Sequence, residues 1–209
     1  MKRLAIISMI LLIAPVFGQG TYGIPLQYVD TSGTLESFQQ FQGKPLVVEA
    51  FATWCPHCHN EHKELVKLWD AMNNSINMLS LAVASDDNLK TIANYLVDYP
   101  SPWSVGWDQG GNFTDYYSVD AFPTIILFDT QGNFASCNVG ERSFDTLSKD
   151  VNNLISDPQA YIDSRAGSGK CQSSWLNTIS PVLILGGLLS LSFALFFFIR
   201  YLSSRKKHQ

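Results

Sequence analysis

Acidic residues are missing from both ends of this 209-residue chain: none precedes Asp30 and none follows Asp163. Excess positive charge is missing from its middle. Residues 19–178 hold only eight of the 14 Lys and Arg against all 18 Asp and Glu, a balance of about −10. A surface of that sign repels phosphate backbones, which excludes nucleic acid as a partner. Cysteine is scarce too, with four in the whole chain. A structural zinc site usually needs two matching cysteine pairs. Cys137 and Cys171 are too far apart in sequence to supply a second pair of that kind.

The bare ends carry apolar runs. Lys2 and Arg3 precede an apolar stretch over 4–17, the pattern of a secretory signal peptide over 1–18. Val16 and Gly18 suit cleavage, so the mature chain is expected to begin at Gln19, with an uncleaved signal anchor as the alternative. Residues 179–199 are apolar and uncharged, and at roughly 1.5 Å per residue they reach across a bilayer core. The tail over 200–209 holds Arg200, Arg205, Lys206 and Lys207, which the positive-inside rule places in the cytoplasm. The expected layout is a single-pass cell-membrane protein with its domain, 19–155, outside the cytoplasm. A polar segment over 156–178, containing Ala-Gly-Ser-Gly at 166–169, reads as a flexible tether. Asn73 and Asn112 open short glycosylation sequons, a pattern that chance produces often.

Within the domain the periodicities alternate. Residues 20–33 suit a hairpin and 35–41 a short helix. The continuous apolar run over 46–51 suits a central strand covered on both faces. Helical spacing follows over 56–72, a strand over 78–84, a helix over 89–97, a short strand over 103–107 and a short helix over 113–117. Strands over 124–128 and 134–139 flank the turn Asp129-Thr130-Gln131-Gly132. A last helix over 144–155 has Ser143 as its N-cap. This alternation is α/β.

Chemistry concentrates at Phe51-Ala52-Thr53-Trp54-Cys55-Pro56-His57-Cys58, where the central strand gives way to a helix. A Cys-X-X-Cys pair at such a junction reads as a redox-active dithiol. Pro56 suits the first helical position, where its missing N–H costs nothing, and this leaves Cys55 at the N-cap. Unpaired backbone N–H groups and the positive end of the helix dipole favour a thiolate there. Cys55 is thus the expected nucleophile and Cys58, about one turn inside, the resolving thiol. A structural disulfide or a zinc half-site is the plainer alternative.

The segment from Gly43-Lys44-Pro45 through Ala52-Thr53-Trp54-Cys55-Pro56 resembles thioredoxin-like proteins, in particular the membrane-anchored extracytoplasmic redoxins of the TlpA/ResA type. A second stretch, Asp120-Ala121-Phe122-Pro123-Thr124, resembles the cis-proline loop of that family. The resemblance covers about 24–155. It implies a thioredoxin fold, a central mixed sheet flanked by helices, here followed by a transmembrane helix. It implies that Pro123 is cis and faces the dithiol, with Phe122 and Trp54 bordering the substrate groove. At the position of Phe122 the family more often has a smaller residue, and Trp54 reads equally well as a core aromatic. It further implies that Glu49, an acid inside an apolar strand, lies beneath Cys58 and relays its proton. An edge-facing glutamate is the alternative. The pair Pro56-His57 resembles that of the strongly oxidising periplasmic oxidase DsbA, in which these two positions tune the redox potential. His57 otherwise reads as a solvated loop histidine.

His59 and His62 follow on the same helix, and Cys58 and His62, spaced i, i+4, share a face. Thiolates and imidazoles suit copper or zinc, so a copper chaperone is an alternative of another class. Cys137 alternates with Ala135 and Val139 on an apolar strand face and reads foremost as a buried, inert cysteine. Cys171 is left to pair with it, to bridge two protomers or to stay free. The resulting expectation is a membrane-tethered thiol–disulfide oxidoreductase without cofactor or bound metal. It would act on protein thiols and disulfides and exchange electrons with a membrane or extracytoplasmic partner. A cytochrome-maturation thiol reductase is the alternative within the class.

Overall fold

The computed structural model describes residues 26–165 and Cys171. Strands β1 (Gln27–Asp30) and β2 (Leu35–Ser37) form a hairpin, followed by a 3₁₀ turn over Phe38–Phe41. Then come β3 (Leu46–Phe51), α1 (Pro56–Met72), β4 (Asn77–Ala82), α2 (Leu89–Asp98), β5 (Ser104–Trp107) and α3 (Asn112–Tyr117). The hairpin β6 (Thr124–Phe128) and β7 (Phe134–Val139) leads to α4 (Phe144–Ser156) and α5 (Pro158–Ser164). The seven strands form one sheet in the order β2-β1-β5-β4-β3-β6-β7. It is mixed: β3 runs parallel to β4 and antiparallel to β6.

The central place of β3 explains its composition, since every one of its residues is buried. Side chains alternate across a strand. Leu46, Val48 and Ala50 therefore join Leu79, Leu81, Ile126 and Phe128 in a core under α3. Val47 faces the other way, into a core with Leu65 and Leu68 of α1 and Leu147 and Val151 of α4. Phe51 lies on that second side too, in a smaller cluster with Cys55, Cys58, Ile92 and Tyr95. Glu49 stands between Val47 and Phe51 in this alternation, so its carboxyl is directed under α1 and α2.

Two local expectations are corrected. Residues 35–41 were expected to be helical, but 35–37 pair with β1 and only Phe38–Phe41 coil, capped where the Ser37 hydroxyl accepts from the Gln39 N–H. Phe38 and Phe41 are buried either way, because an i, i+3 spacing serves a 3₁₀ turn as well as an α-helix. The tether expected over 156–178 does not begin at 156, because Pro158–Ser164 forms a helix. Asp157 caps α5 by accepting from the Ala160 N–H, and Pro158 opens it. Tyr161 is buried in the α1/α4 core, its hydroxyl 3.1 Å from that of Ser136. Arg165 and Arg142 both reach Asp150, at 2.6 and 3.0 Å.

Cys137 is not an inert thiol: it forms a disulfide with Cys171. Cys171 is buried in the α3-side core and its N–H donates to the Tyr117 carbonyl at 2.7 Å. Arg165 lies on one side of the sheet and Cys171 on the other. Among the described residues no helix is long and apolar enough to cross a membrane. The segments over 1–18, 179–199 and 200–209 lie outside the described residues.

Candidate active site

The dithiol sits at the C-terminal end of β3, where the chain turns into α1. Two aspartates hold that turn. Asp87, itself buried, accepts from the Thr53 N–H at 3.1 Å and the Thr53 hydroxyl at 2.5 Å. Asp86 accepts from the Trp54 indole at 3.1 Å. Cys55 is the N-cap of α1, and Pro56 occupies the first turn. The Cys58 N–H donates to Cys55 Sγ at 3.3 Å, one of the helix-end donors that would otherwise lack a partner. Both cysteines are reduced thiols here. The Cys55 thiol points at the Phe122 carbonyl, 3.8 Å away, in the loop whose Phe122–Pro123 peptide is cis. Trp54 is 56% exposed and meets Phe122 edge to face at 6.2 Å, so it is a rim residue and not a core aromatic.

The two thiols have different surroundings. Cys58 is completely buried, and desolvation chiefly pushes its thiol up, aided by its hydrogen bond with Cys55 and the nearby Glu49 charge. Glu49 is 1% exposed. Its Oε2 accepts from the Ser80 hydroxyl at 2.6 Å, and Ser80 in turn accepts from the Trp103 indole at 3.0 Å. Burial raises the Glu49 carboxyl from 4.5 to about 8 despite the Ser80 bond, and Glu61 adds to the rise.

Glu61 was not singled out from the sequence. It is fully buried one turn beyond Cys58, and it accepts from the Arg142 N–H at 2.6 Å. Burial chiefly raises it, to about 7. One further turn along α1, Glu64 accepts from the Phe144 N–H at 2.8 Å, doing for α4 what its N-cap Ser143 does not. The loop gripped in this way begins at Gly140, in the left-handed region, whose N–H donates to the Pro123 carbonyl at 2.8 Å. The signal for Glu61 was present: positions 58, 61, 62 and 65 form one helical face, all buried.

His57 stands at the mouth, largely exposed, with its Nδ1 against the Glu141 carboxylate of the same loop. That contact holds Glu141 below the usual carboxylate range. His59 and His62 do not converge with Cys58 on a common point. His59 Nε2 lies 3.0 Å from the Thr53 carbonyl, and its ring stacks on Tyr99 at 4.5 Å. His62 is buried among Tyr95, Tyr99 and Trp103. Among the described residues no group of three or more His, Cys, Asp or Glu could hold a metal. A groove of about 390 Å³ opens beside the turn, lined by Thr53, Trp54, His59, Asn94, Tyr95 and Tyr99 among others.

Comparison with known proteins agrees with this picture. The sequence is 24% identical over 118 residues to the thiol-disulfide oxidoreductase ResA of Bacillus cereus, covering 56% of this chain and 68% of that one. The fold is similar to that of MTB dsbF, with a TM-score of 0.58 at 21% identity over 64% of this chain and 98% of that one. It is also similar to StoA from Bacillus subtilis, with a TM-score of 0.52 at 18% identity over 61% and 97%. The Redoxin family profile matches residues 14–155, which is most of the chain and includes the whole site described above. The chain therefore belongs to the redoxin family, and it is a thiol–disulfide oxidoreductase of the thioredoxin-like type.

Proposed function

We propose that the protein is a membrane-tethered oxidoreductase that forms or exchanges disulfides in proteins outside the cytoplasm, with Cys55 as the attacking thiol and Cys58 as the resolving one. The asymmetry between the two thiols carries this reading. Cys55 is the N-cap of α1, where its sulfur accepts from the Cys58 N–H, while Cys58 lies one turn inside, wholly buried, with its thiol pushed up by that burial. A sulfur at the helix end is a good nucleophile and a good leaving group, as exchange requires.

In the oxidising direction a substrate thiolate attacks Cys55 Sγ of the Cys55–Cys58 disulfide. The bond between the cysteines breaks, and Cys58 leaves with the electron pair and takes up a proton. The second substrate thiolate then attacks the substrate sulfur of the mixed disulfide and releases Cys55. The substrate loses two electrons, which the reduced dithiol passes to an extracytoplasmic electron-exchange partner. Glu49, buried near Cys58, gives and takes the Cys58 proton in this scheme. Trp54 and Phe122, which meet edge to face, and the cis Pro123 after them form the substrate-contact surface beside Cys55. The membrane anchor and the outside location rest on the apolar run over 179–199, the basic tail and the signal-like start.

The oxidising direction rests on Pro56-His57. A protonated His57 stabilises the reduced thiolate form and so makes the disulfide the stronger oxidant. Equilibration with glutathione buffers is expected to give a potential of about −180 to −120 mV, and His57→Gly should make the couple more reducing. A wild-type value near that of thioredoxin, about −270 mV, would instead make the protein a reductase.

A further inference from the structure

Five buried side-chain polar atoms among the described residues lack a hydrogen-bond partner: Glu49 Oε1, Glu61 Oε1, His62 Nδ1, Arg142 Nε and Tyr95 Oη. They are not scattered. Glu61 acts on Glu49, the Arg142 N–H bonds Glu61, and Tyr95, which packs against His62, shares a cluster with Cys58. A buried hydroxyl that no protein group bonds carries a cost in the resting state. Phenylalanine would fill the same space without that cost, so the oxygen of Tyr95 needs a reason.

The ring of Tyr95 is held on several sides. It lies 5.0 Å from Phe51 of β3, 5.9 Å from His59 and 6.2 Å from His62 of α1, and it stacks on Tyr99, the C-cap of α2, at 4.8 Å. It shares one buried cluster with both Cys55 and Cys58. The titratable groups around it are Glu49 from β3, Cys55 at the N-cap of α1, Cys58, His59 and His62 from α1, and Tyr99 at the C-cap of its own helix. Desolvation pushes its phenol up, and the charges of Glu49 and Cys58 push it further, so it stays a neutral donor through turnover.

We propose that Tyr95 is a positioning residue for the resolving step, its hydroxyl donating a hydrogen bond to the negative charge that Glu49 and Cys58 share once a proton has left the pair. The inference rests on the exchange reading above. In that step the Cys58 thiol gives its proton to the Glu49 carboxylate. The Cys58 sulfur forms its bond to Cys55 Sγ, the bond from Cys55 to the substrate sulfur breaks, and that sulfur leaves with the electron pair. Tyr95 keeps its proton throughout. A fixed donor in the same buried cluster needs no reorganisation as the charge passes from Glu49 to Cys58.

The test is single turnover of the reduced full-length protein with 5,5′-dithiobis(2-nitrobenzoate), followed across pH 5–9. Attack by Cys55 releases one thionitrobenzoate, and resolution by Cys58 releases the second. Two phases in the wild type test the exchange reading itself; their absence removes that reading whatever Tyr95 does. In Tyr95→Phe the first phase should be unchanged. The second should be about tenfold slower near neutral pH, with its midpoint about one pH unit higher and the two curves converging above it. Tyr161→Phe, which removes a buried hydroxyl that faces Ser136 and not the site, should keep the wild-type profile. A Tyr95→Phe curve that superimposes on the wild type overturns the proposal. So does slowing by one factor at every pH, the mark of disturbed packing, or an equal shift in both variants.

Discussion

Replacing Glu49 by Gln should stabilise the reduced protein at alkaline pH while impairing it as an enzyme. Glu49 is raised from 4.5 to about 8, mostly by burial. Below pH 4.5 the acid is protonated in the folded and unfolded chains alike and contributes no pH dependence. Between 4.5 and about 8 the unfolded chain releases the proton and the folded one retains it, so stability falls as pH rises. The fall is about 1.4 kcal/mol per pH unit from this group, a few kcal/mol in all, and it levels off above the folded value. Glu61, raised to about 7, adds a fall of the same sign over a narrower window. A glutamine at position 49 has no proton to hold, and its amide oxygen can accept from Ser80 as the carboxyl does now. Glu49→Gln should therefore match the wild type near pH 4.5 and exceed it by a few kcal/mol at pH 8. Urea unfolding of the reduced protein at half-unit steps of pH measures this directly. A wild-type stability equal at pH 5 and pH 8 would refute the reasoning, as would a Gln variant displaced by one constant at every pH. In single turnover the same variant should attack normally through Cys55 but resolve about 10- to 100-fold more slowly, the low end of general-base contributions. Normal resolution near neutral pH would make this acid structural.

Cys58→Ser should trap substrates as mixed disulfides on Cys55, since the resolving thiol is gone. Non-reducing gels of cells producing the variant report this, and a lane without adducts that depend on Cys55 would count against exchange. Removing the Cys137–Cys171 bond by Cys171→Ala opens a loop with a sequence separation of 34. It should cost about 2–4 kcal/mol in urea unfolding, because the unfolded chain regains the freedom that the crosslink removes. The potential of the Cys55–Cys58 couple should not change. A shifted potential would mean that the second disulfide communicates with the site.

What could be read from the sequence was what neighbouring residues decide among themselves. The start of α1 follows from Cys55, Pro56 and the helical spacing behind them, and 56–72 was expected to the residue. β3, β6 and β7 were likewise expected at their observed bounds, because an apolar run between turn residues leaves little choice. β2 was misread because its pairing with Tyr28 and Val29 is tertiary, and nothing in 35–37 announces it. α5 was missed for another reason. Asp157 and Pro158 are a proper helix start, but the polarity of the segment outweighed them and hid Tyr161, which is buried in the core with Ile162 packed against it. The pairing of Cys137 with Cys171 was beyond local reading altogether, since spacing does not determine connectivity.

The candidate site divides in the same way. Its sulfur chemistry lies within four consecutive residues and was legible. Its proton chemistry is assembled from β3, α1, β4 and α2 by the sheet register and the packing of two helices, so no window of sequence contains it. Three of its members nonetheless left a mark: Glu49 in an apolar strand, and Glu61 and His62 on the buried face of α1, are polar residues where the periodicity calls for apolar ones. Burying a polar group costs free energy wherever it occurs. When several such exceptions fall on segments that the topology brings beneath one thiol, the shared cost is better explained by the reaction of that thiol than by separate accidents of packing. Tyr95 left no such mark, because tyrosine is at home in a core, and only its unpartnered oxygen sets it apart.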